Sequence, residues 1–333
     1  MVANRNKSID LIKIVAMVGV IALHSTKSYI DTNNFSLADI VYDLGIVSIP
    51  LFFMVSGYLL IPRKNITYFY VIHKIIGILR FVFLITFSFS FLYSIKHGFK
   101  LSCFLDNFFG AFFQYGAFSI FWYFGALILC YILLPLVSKI FHSNLNIYSL
   151  ILLVLFLACN SVFSHTLSIG MGGGNYVEFL VPATLRLWYI YFYFLLGGLL
   201  YRFSHIHINW IVILFLFIVT IAYKEYFDNI IGSEFASLFY SAPIVMALCA
   251  GIFISIKDLN VKENRIVSLL SETFLPAYTI HMFVISFVSK YIDNIITNNS
   301  VAAILFWIIV SSVTIILSLL LMKLSLFRKI FNI

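Results

Sequence analysis

Apolar runs long enough to cross a membrane recur along this chain, and no stretch between them is polar enough to form a separate soluble domain. A helix rises 1.5 Å per residue, so about 20 apolar residues span the hydrocarbon core of a bilayer. Hydrophobic residues make up 62% of the 333 residues and charged residues only 10%, with a mean hydropathy of +1.06. The sequence therefore predicts an all-α, polytopic membrane protein with a single transmembrane domain over residues 1–333.

The apolar windows between interrupting polar residues predict about ten helices. They lie at residues 9–30, 40–61, 75–95, 118–140, 146–165, 184–203, 208–224, 236–256, 272–290 and 301–324. If the N-terminus is cytoplasmic, most of the 21 lysines and arginines fall on the inner side. The positive-inside rule then predicts that both termini are cytoplasmic. The longest outer segments, 96–117 and 166–183, are candidates to cover a site from outside.

The net charge of +8 fits this topology and contact with membrane phospholipids. Nucleic acid is not expected as a partner, because no basic and aromatic recognition module is visible. The first apolar segment follows a basic start, as a signal peptide does, but it lacks a small-residue cleavage site and contains ionisable residues, so we expect it to be retained. The four cysteines lie far apart without a CxxC spacing, which predicts neither a metal site nor a disulfide framework.

Three ionisable residues interrupt the first apolar segment, where burying them is costly. Lys13 and His24 are separated by ten residues, which places them within roughly 20° of each other and roughly 16 Å apart along a helix. Asp10 lies roughly 40° from His24 on the same projection. His24 is a candidate general base, because a neutral imidazole accepts a proton near physiological pH. The alternatives are a structural histidine and, for Asp10 and Lys13, an ordinary ion pair at spacing i, i+3.

Basic residues also gather where the second and third predicted helices meet. Arg63, Lys64, Lys74 and Arg80, with Lys13, form a cationic inner mouth suited to an anionic cofactor, because phosphate groups attract ammonium and guanidinium donors. The same charges are equally explained by membrane topology.

Candidate cavity-lining residues come from three further segments. Ser56, Gly57 and Tyr58 lie in SIPLFFMVSGYLLIP, where small and hydroxyl residues usually serve helix packing. Trp122 lies in FWYFG, which also fits an aromatic belt at the membrane interface. His281, in AYTIHMF, is a second deeply placed histidine, and it is as well explained by a structural role as by a site.

Taken in order, these segments resemble the acyltransferase-3 family of membrane acyltransferases over nearly the whole chain. The most specific similarities are an R/K-x10-H motif and an FF-x-x-SG element. Lys13 and His24, with Asp10 ahead of them, match the first, and the second is matched by Phe52, Phe53, Ser56 and Gly57. The later segments FWYFGALILCYILLPLV, FYFLLGGLL, AYTIH and LSLFRKI follow in the family's order.

The resemblance implies about ten transmembrane helices with both termini inside, in a bacterial inner membrane. It also implies transfer of an acetyl or other short acyl group from cytoplasmic acyl-CoA to a hydroxyl of O-antigen, capsule, exopolysaccharide or a lipid-linked sugar. His24 then corresponds to the family's essential histidine and Lys13 to its paired basic residue. Ser56 and Gly57 would line the same cavity, and His281 matches the histidine of a late Tyr-x-x-His element.

Three positions depart from the family pattern. The R-x-x-R pair that usually opens the third helix is Lys74 and Gly77 here, with Arg80 one turn later. Some branches have a histidine where this chain has Ile120, and another branch has a glutamate where it has Ala126. The basic pair is therefore lost or displaced.

Two mechanisms fit these residues if CoA phosphates bind near Lys13 and Lys74. His24 removes a proton from the sugar hydroxyl, or it first accepts the acyl group itself. A different class of function, a polysaccharide exporter or flippase without acyl transfer, also requires polar residues within the membrane. A purely structural scaffold leaves the aligned Asp10, Lys13 and His24 unexplained.

Overall fold

The computed structural model describes residues 6–30, 35–98, 100–172, 176–203, 206–231, 236–259, 261, 264–292 and 299–331. These residues form helices and connecting turns, and no strand occurs among them. The α-helices are α1 (Lys7–Thr26), α2 (Leu37–Leu44), α3 (Ser48–Leu60), α4 (Tyr68–His97), α5 (Leu101–Phe113), α6 (Trp122–Ser143), α7 (Leu145–Gly172), α8 (Val177–Leu180), α9 (Leu187–Leu200), α10 (Trp210–Ile231), α11 (Pro243–Lys257), α12 (Arg265–Glu272), α13 (Phe274–Ile292), α14 (Asn299–Lys323) and α15 (Ser325–Phe331).

Within the described residues, seven helical stretches are long and apolar enough to cross a membrane. They are Lys7–Tyr29, Leu37–Leu60, Tyr68–Ile95, Ser119–Ser143, Leu145–Ile169, Trp210–Asp228 and Ser300–Lys323. The helices α5, α9 and α11 are apolar but shorter. Each of the ten predicted segments overlaps a helix. The chain is thus an all-helical, multi-pass membrane protein.

Prolines divide two of the predicted helices. Residues 40–61 form α2 and α3 with a turn between them, and Pro50 lies in the first turn of α3. Residues 236–256 form a 3-10 helix, Ala236–Ser241, followed by α11, whose first residue is Pro243. Because proline has no N–H and clashes with the preceding turn, it is tolerated at the start of a helix and disrupts its interior.

The two segments predicted to connect helices on the outer side also contain helix. Within 96–117 the chain forms α5, which packs against α4 and α6. Within 166–183 it completes α7 and then forms the short helix α8. Residues 173–175, in the glycine-rich run, lie outside the described residues. These segments are therefore more structured than their position between apolar runs suggested.

The helices α1 and α3 lie at the centre of the protein. Helix α1 contacts α2, α3, α11, α12, α13 and α14. By contrast, α4, α7, α10 and α14 each expose large apolar side chains, among them Leu92, Leu157, Phe215 and Ile316. In a membrane protein such faces meet lipid, where an apolar surface costs nothing to expose. Helix α1, with its ionisable residues, is consequently enclosed mainly by other helices.

Glycines bring α3 and α9 into close contact. A Cβ atom added to Gly57 would lie 1.8 Å from the carbonyl oxygen of Phe194, and one added to Gly197 would lie 2.0 Å from the carbonyl oxygen of Met54. Both clashes are with backbone atoms, so neither can be relieved by rotating a side chain. Small residues at helix crossings in membranes permit this approach. The contact fixes one face of α3 against α9.

We expect Gly57→Ala and Gly197→Ala to lower the free energy of unfolding by about 1–3 kcal/mol, because each methyl group forces the two backbones apart. The matched control is Gly251→Ala, where the added Cβ would meet only the ends of side chains, Cδ1 of Ile213 at 2.8 Å and Cδ1 of Leu216 at 3.6 Å. Thermal unfolding of the detergent-purified variants measures the difference. Equal melting temperatures for all three variants would contradict the close α3–α9 contact.

Candidate active site

The start of α1 is held by a buried carboxylate. Asn6 caps the helix, its side chain accepting hydrogen bonds from the N–H groups of Ser8 and Ile9. Asp10 is only 1% exposed, and it accepts a hydrogen bond of 2.7 Å from Ser271 Oγ of α12. It also forms an ion pair of 3.3 Å with Lys13 Nζ. Asp10 therefore fixes α12 against α1 and orients the lysine.

Three cations predicted to form an inner mouth line one cavity. The cavity has a volume of about 240 Å³, and its lining includes Lys13, Arg63 and Lys74. Arg63 follows α3, is exposed, and donates hydrogen bonds to the carbonyl oxygen of Leu59 at 2.9 Å and to the hydroxyl of Tyr70 at 3.1 Å. The cavity thus reaches the protein surface at its cationic end. Such a concave, positively charged site suits an anion.

The interior end of the cavity is less polar. Ser56 Oγ and the hydroxyl of Tyr123 lie 3.3 Å apart there, so α3 and α6 both contribute a hydroxyl group. Tyr131 of α6 also lines the wall. The rings of Phe52 and Phe274 close this end, with their centroids 4.6 Å apart. The cavity therefore grades from cations at the surface to hydroxyl and aromatic groups inside.

Two histidines from different helices lie together beyond this end. His24 is half-buried in the last turn of α1, and its ring centroid is 5.3 Å from that of His281 in α13. His281 is fully buried, and its Nδ1 lies 2.8 Å from the carbonyl oxygen of Tyr278. Because a carbonyl oxygen only accepts, Nδ1 carries the hydrogen. Nε2 of His281 has no hydrogen-bond partner among the described residues, so in the neutral ring it offers a free lone pair.

Four other predicted site residues lie away from the cavity wall. Gly57 contacts α9, as described above, although its neighbour Ser56 lines the cavity. Tyr58 packs against the rings of Phe253 and Tyr201. Arg80 is exposed on α4 and is absent from the cavity lining. Trp122 is buried at the start of α6, and its carbonyl oxygen accepts a hydrogen bond from Thr184.

The sequence did not predict the aromatic side chains as lining residues of the cavity, although Phe52 belongs to the FF-x-x-SG element. Tyr70 lies four residues before Lys74, and Phe52 lies four residues before Ser56. Residues at that spacing share one face of a helix, so each could have been found from its predicted partner. Within FWYFG the predicted lining residue is Trp122, whereas the next residue, Tyr123, lines the cavity. No signal in the sequence connects Phe274, at the start of α13, with the second predicted helix.

A further buried ionic cluster lies outside the cavity and joins α2 to α10. Lys224 Nζ is 3.2 Å from Asp43 Oδ1 and 2.5 Å from Asp228 Oδ2. Lys224 and Asp43 are 2% and 1% exposed, so their charges are neutralised within the protein. We interpret this cluster as a structural link between the two helices.

The described residues thus form a helical, multi-pass membrane protein in which a cationic cavity leads toward two paired histidines. Comparison with known protein families identifies the family of this chain. The family model of the acyltransferase domain matches residues 6–323, which is nearly the whole chain. The protein therefore belongs to the acyltransferase-3 family and is a membrane acyltransferase. The comparisons with curated proteins and with solved structures found no match.

Substitutions of Asp10 test the link between α1 and α12. In Asp10→Asn the amide oxygen can still accept the hydrogen bond from Ser271, whereas the ionic attraction to Lys13 is lost. Asp10→Ala removes both contacts, and we expect it to lower the free energy of unfolding by about 1–3 kcal/mol, more than Asp10→Asn does. Thermal unfolding in detergent measures both variants.

The control for this comparison is Asp106→Ala, since Asp106 is an exposed carboxylate on α5. Its effect should lie within about 0.5 kcal/mol of zero. If Asp10→Ala is no less stable than Asp106→Ala, the carboxylate does not hold the two helices together.

Proposed function

We propose that this protein is a membrane O-acyltransferase of the bacterial inner membrane. It moves an acetyl or other short acyl group from cytoplasmic acyl-CoA to a hydroxyl of a cell-surface or lipid-linked saccharide. The observation that carries the proposal is the convergence of Lys13, Arg63 and Lys74, from three separate segments, on one cavity. The family membership supports the acyl transfer, and the cations support an anionic donor such as acyl-CoA.

Acyl-CoA fits a cavity that is cationic at the surface and lined by hydroxyl and aromatic groups inside. Its phosphates suit the surface end, where ammonium and guanidinium groups attract them. Its pantetheine arm is neutral and suits the inner wall of hydroxyl and aromatic groups. A cavity of about 240 Å³ holds the arm and not the whole nucleotide, so the adenosine would lie over the exposed Arg63. The arm then directs the thioester toward the histidines.

The histidines supply the proton transfers of the reaction. In the transfer the C–S bond of the thioester breaks, a C–O ester bond forms, and the hydroxyl proton ends on the CoA thiolate. No electrons are exchanged with another reactant. We assign the removal of the hydroxyl proton to His24, either directly or after it has carried the acyl group. The free Nε2 of His281 makes that residue the neighbouring proton acceptor.

Binding of CoA is the first test, because a polysaccharide exporter or flippase has no need of it. We expect acetyl-CoA and CoA to raise the melting temperature of the detergent-purified protein. Lys74→Gln should weaken CoA binding by about tenfold, the effect of one lost charge-assisted contact. Arg80→Gln is the matched control, since Arg80 lies six residues along the same helix and outside the cavity lining.

Either of two results would contradict this donor site. An absence of protection by CoA and acetyl-CoA would remove the donor and favour export. Equal loss of binding in Lys74→Gln and Arg80→Gln would mean that surface charge, and not the cavity, attracts the nucleotide.

The second test concerns His24. We expect His24→Ala to abolish alkali-labile acyl groups on the surface polysaccharide while the folded protein is retained, because the hydroxyl then lacks its proton acceptor. Proton NMR of the polysaccharide before and after mild alkali measures these groups. The control is His142→Ala, an exposed histidine on α6. Acylation that persists in His24→Ala would refute the assignment. Export would be favoured if deleting the gene removes the surface polysaccharide while the polysaccharide of His24→Ala cells is acylated as in the wild type.

A further inference from the structure

Two phenylalanines separate the cationic cavity from the histidines. Phe52 and Phe274 line the inner end of the cavity, and both also line a second, narrower space on its far side. Their centroids are 4.6 Å apart, with the ring planes inclined by 44°. Phe52 is 3% exposed and Phe274 is half-buried. The pair therefore forms a partition shared by the two spaces.

The space beyond the partition is small and almost entirely apolar. Besides the two phenylalanines it is lined by Met17, Val20, Ile21, Tyr278 and His281, and it is too narrow to admit a water molecule. Of the residues that line this space, His281 is the one whose ring nitrogen, Nε2, has a free lone pair. The direct route from the cavity to His281 runs between the two rings and through this space.

The charged and the catalytic ends lie on opposite sides of the partition. Lys13 and His24 are separated along α1 by roughly 16 Å, at 1.5 Å per residue. Lys13 lines the cavity, and His24 contacts His281 on the far side of the partition. If the phosphates of acyl-CoA bind at the cations, the pantetheine arm has to span this distance to bring the thioester to the histidines. The acyl end of the donor leads, so it is the first part to meet Phe52 and Phe274.

We propose that Phe52 and Phe274 determine the length of the acyl group that this enzyme transfers. This inference rests on the proposed function, since it concerns the donor of that reaction. The narrow space does not hold even a water molecule as it stands, so an acetyl group enters beside the histidines only when a ring rotates aside. Each added methylene requires a larger displacement, and longer chains are therefore rejected. A single methylene in a closely fitting pocket changes specificity by about 10-fold to 200-fold.

The two rings contribute differently to this selection. Phe52 is buried in α3, whose other face is fixed against α9, so it acts as the rigid side. Phe274 is the first residue of α13 and follows the turn at Thr273 that separates α12 from α13. A half-buried side chain beside a helix break has more freedom to rotate. Phe274 is thus the ring that moves when an acyl group enters.

Competition between donors tests the inference. Permeabilised cells that carry each variant, and no other copy of the gene, receive acetyl-CoA or butyryl-CoA radiolabelled in the acyl carbonyl. Alkali-labile radioactivity in the polysaccharide is then counted. We expect Phe274→Ala to raise the ratio of butyryl to acetyl transfer by about tenfold or more, since it opens the partition. Phe274→Leu and Phe52→Leu should raise the ratio less, and they serve if the alanine variant does not fold.

The control is Phe53→Leu, which removes the same atoms from a fully buried ring of α3 that lies outside both linings. Its ratio should equal that of the wild type. A wild type that transfers both acyl groups equally would overturn the inference, as would an unchanged ratio in all Phe52 and Phe274 variants or an equal rise in Phe53→Leu. Failure of the wild type to transfer either group would instead refute the proposed function.

Discussion

The charge of Asp10 has to be neutralised inside the protein, because its side chain is only 1% exposed near the start of a membrane helix. Lys13 supplies the positive charge and Ser271 supplies a hydrogen bond from another helix. Satisfying one carboxylate thus directs a lysine toward the cavity and holds α12 against α1. Because α13 begins two residues after α12 ends, the same contact also limits where Phe274 can lie. Both ends of the cavity depend on this carboxylate.

Helix α3 provides the other fixed wall, and two adjacent residues show how. Successive residues of a helix point about 100° apart, so Ser56 and Gly57 cannot face the same neighbour. Ser56 faces the cavity and pairs with Tyr123, whereas Gly57 contacts the backbone of α9. A motif read as one site therefore combines a lining residue with a packing residue. The absent side chain of Gly57 lets α9 support the wall to which Ser56 contributes its hydroxyl.

The predictable parts of the site are those that lie on one helix. The spacing of Asp10, Lys13 and His24 placed them on one face of α1, and the family resemblance is confirmed over residues 6–323. Arg63 and Lys74 join Lys13 at the cavity, as the clustering of charge suggested, but Arg80 does not. Contacts between helices produce no periodic pattern in the sequence, so they could not be predicted from it. The pairing of His24 with His281, and of Phe52 with Phe274, depends on how distant segments pack.

Separation of the cations from the histidines also has a chemical reason in the proposed reaction. A cavity that attracts phosphates has to be wet, because ammonium and guanidinium groups at an open surface keep their hydration. An activated acyl group beside an imidazole should be dry, because water competes with the sugar hydroxyl as its acceptor. One continuous polar channel cannot meet both needs. A partition of aromatic rings does so, since it excludes water until an acyl group displaces a ring, and the selection of short acyl groups follows from the same barrier.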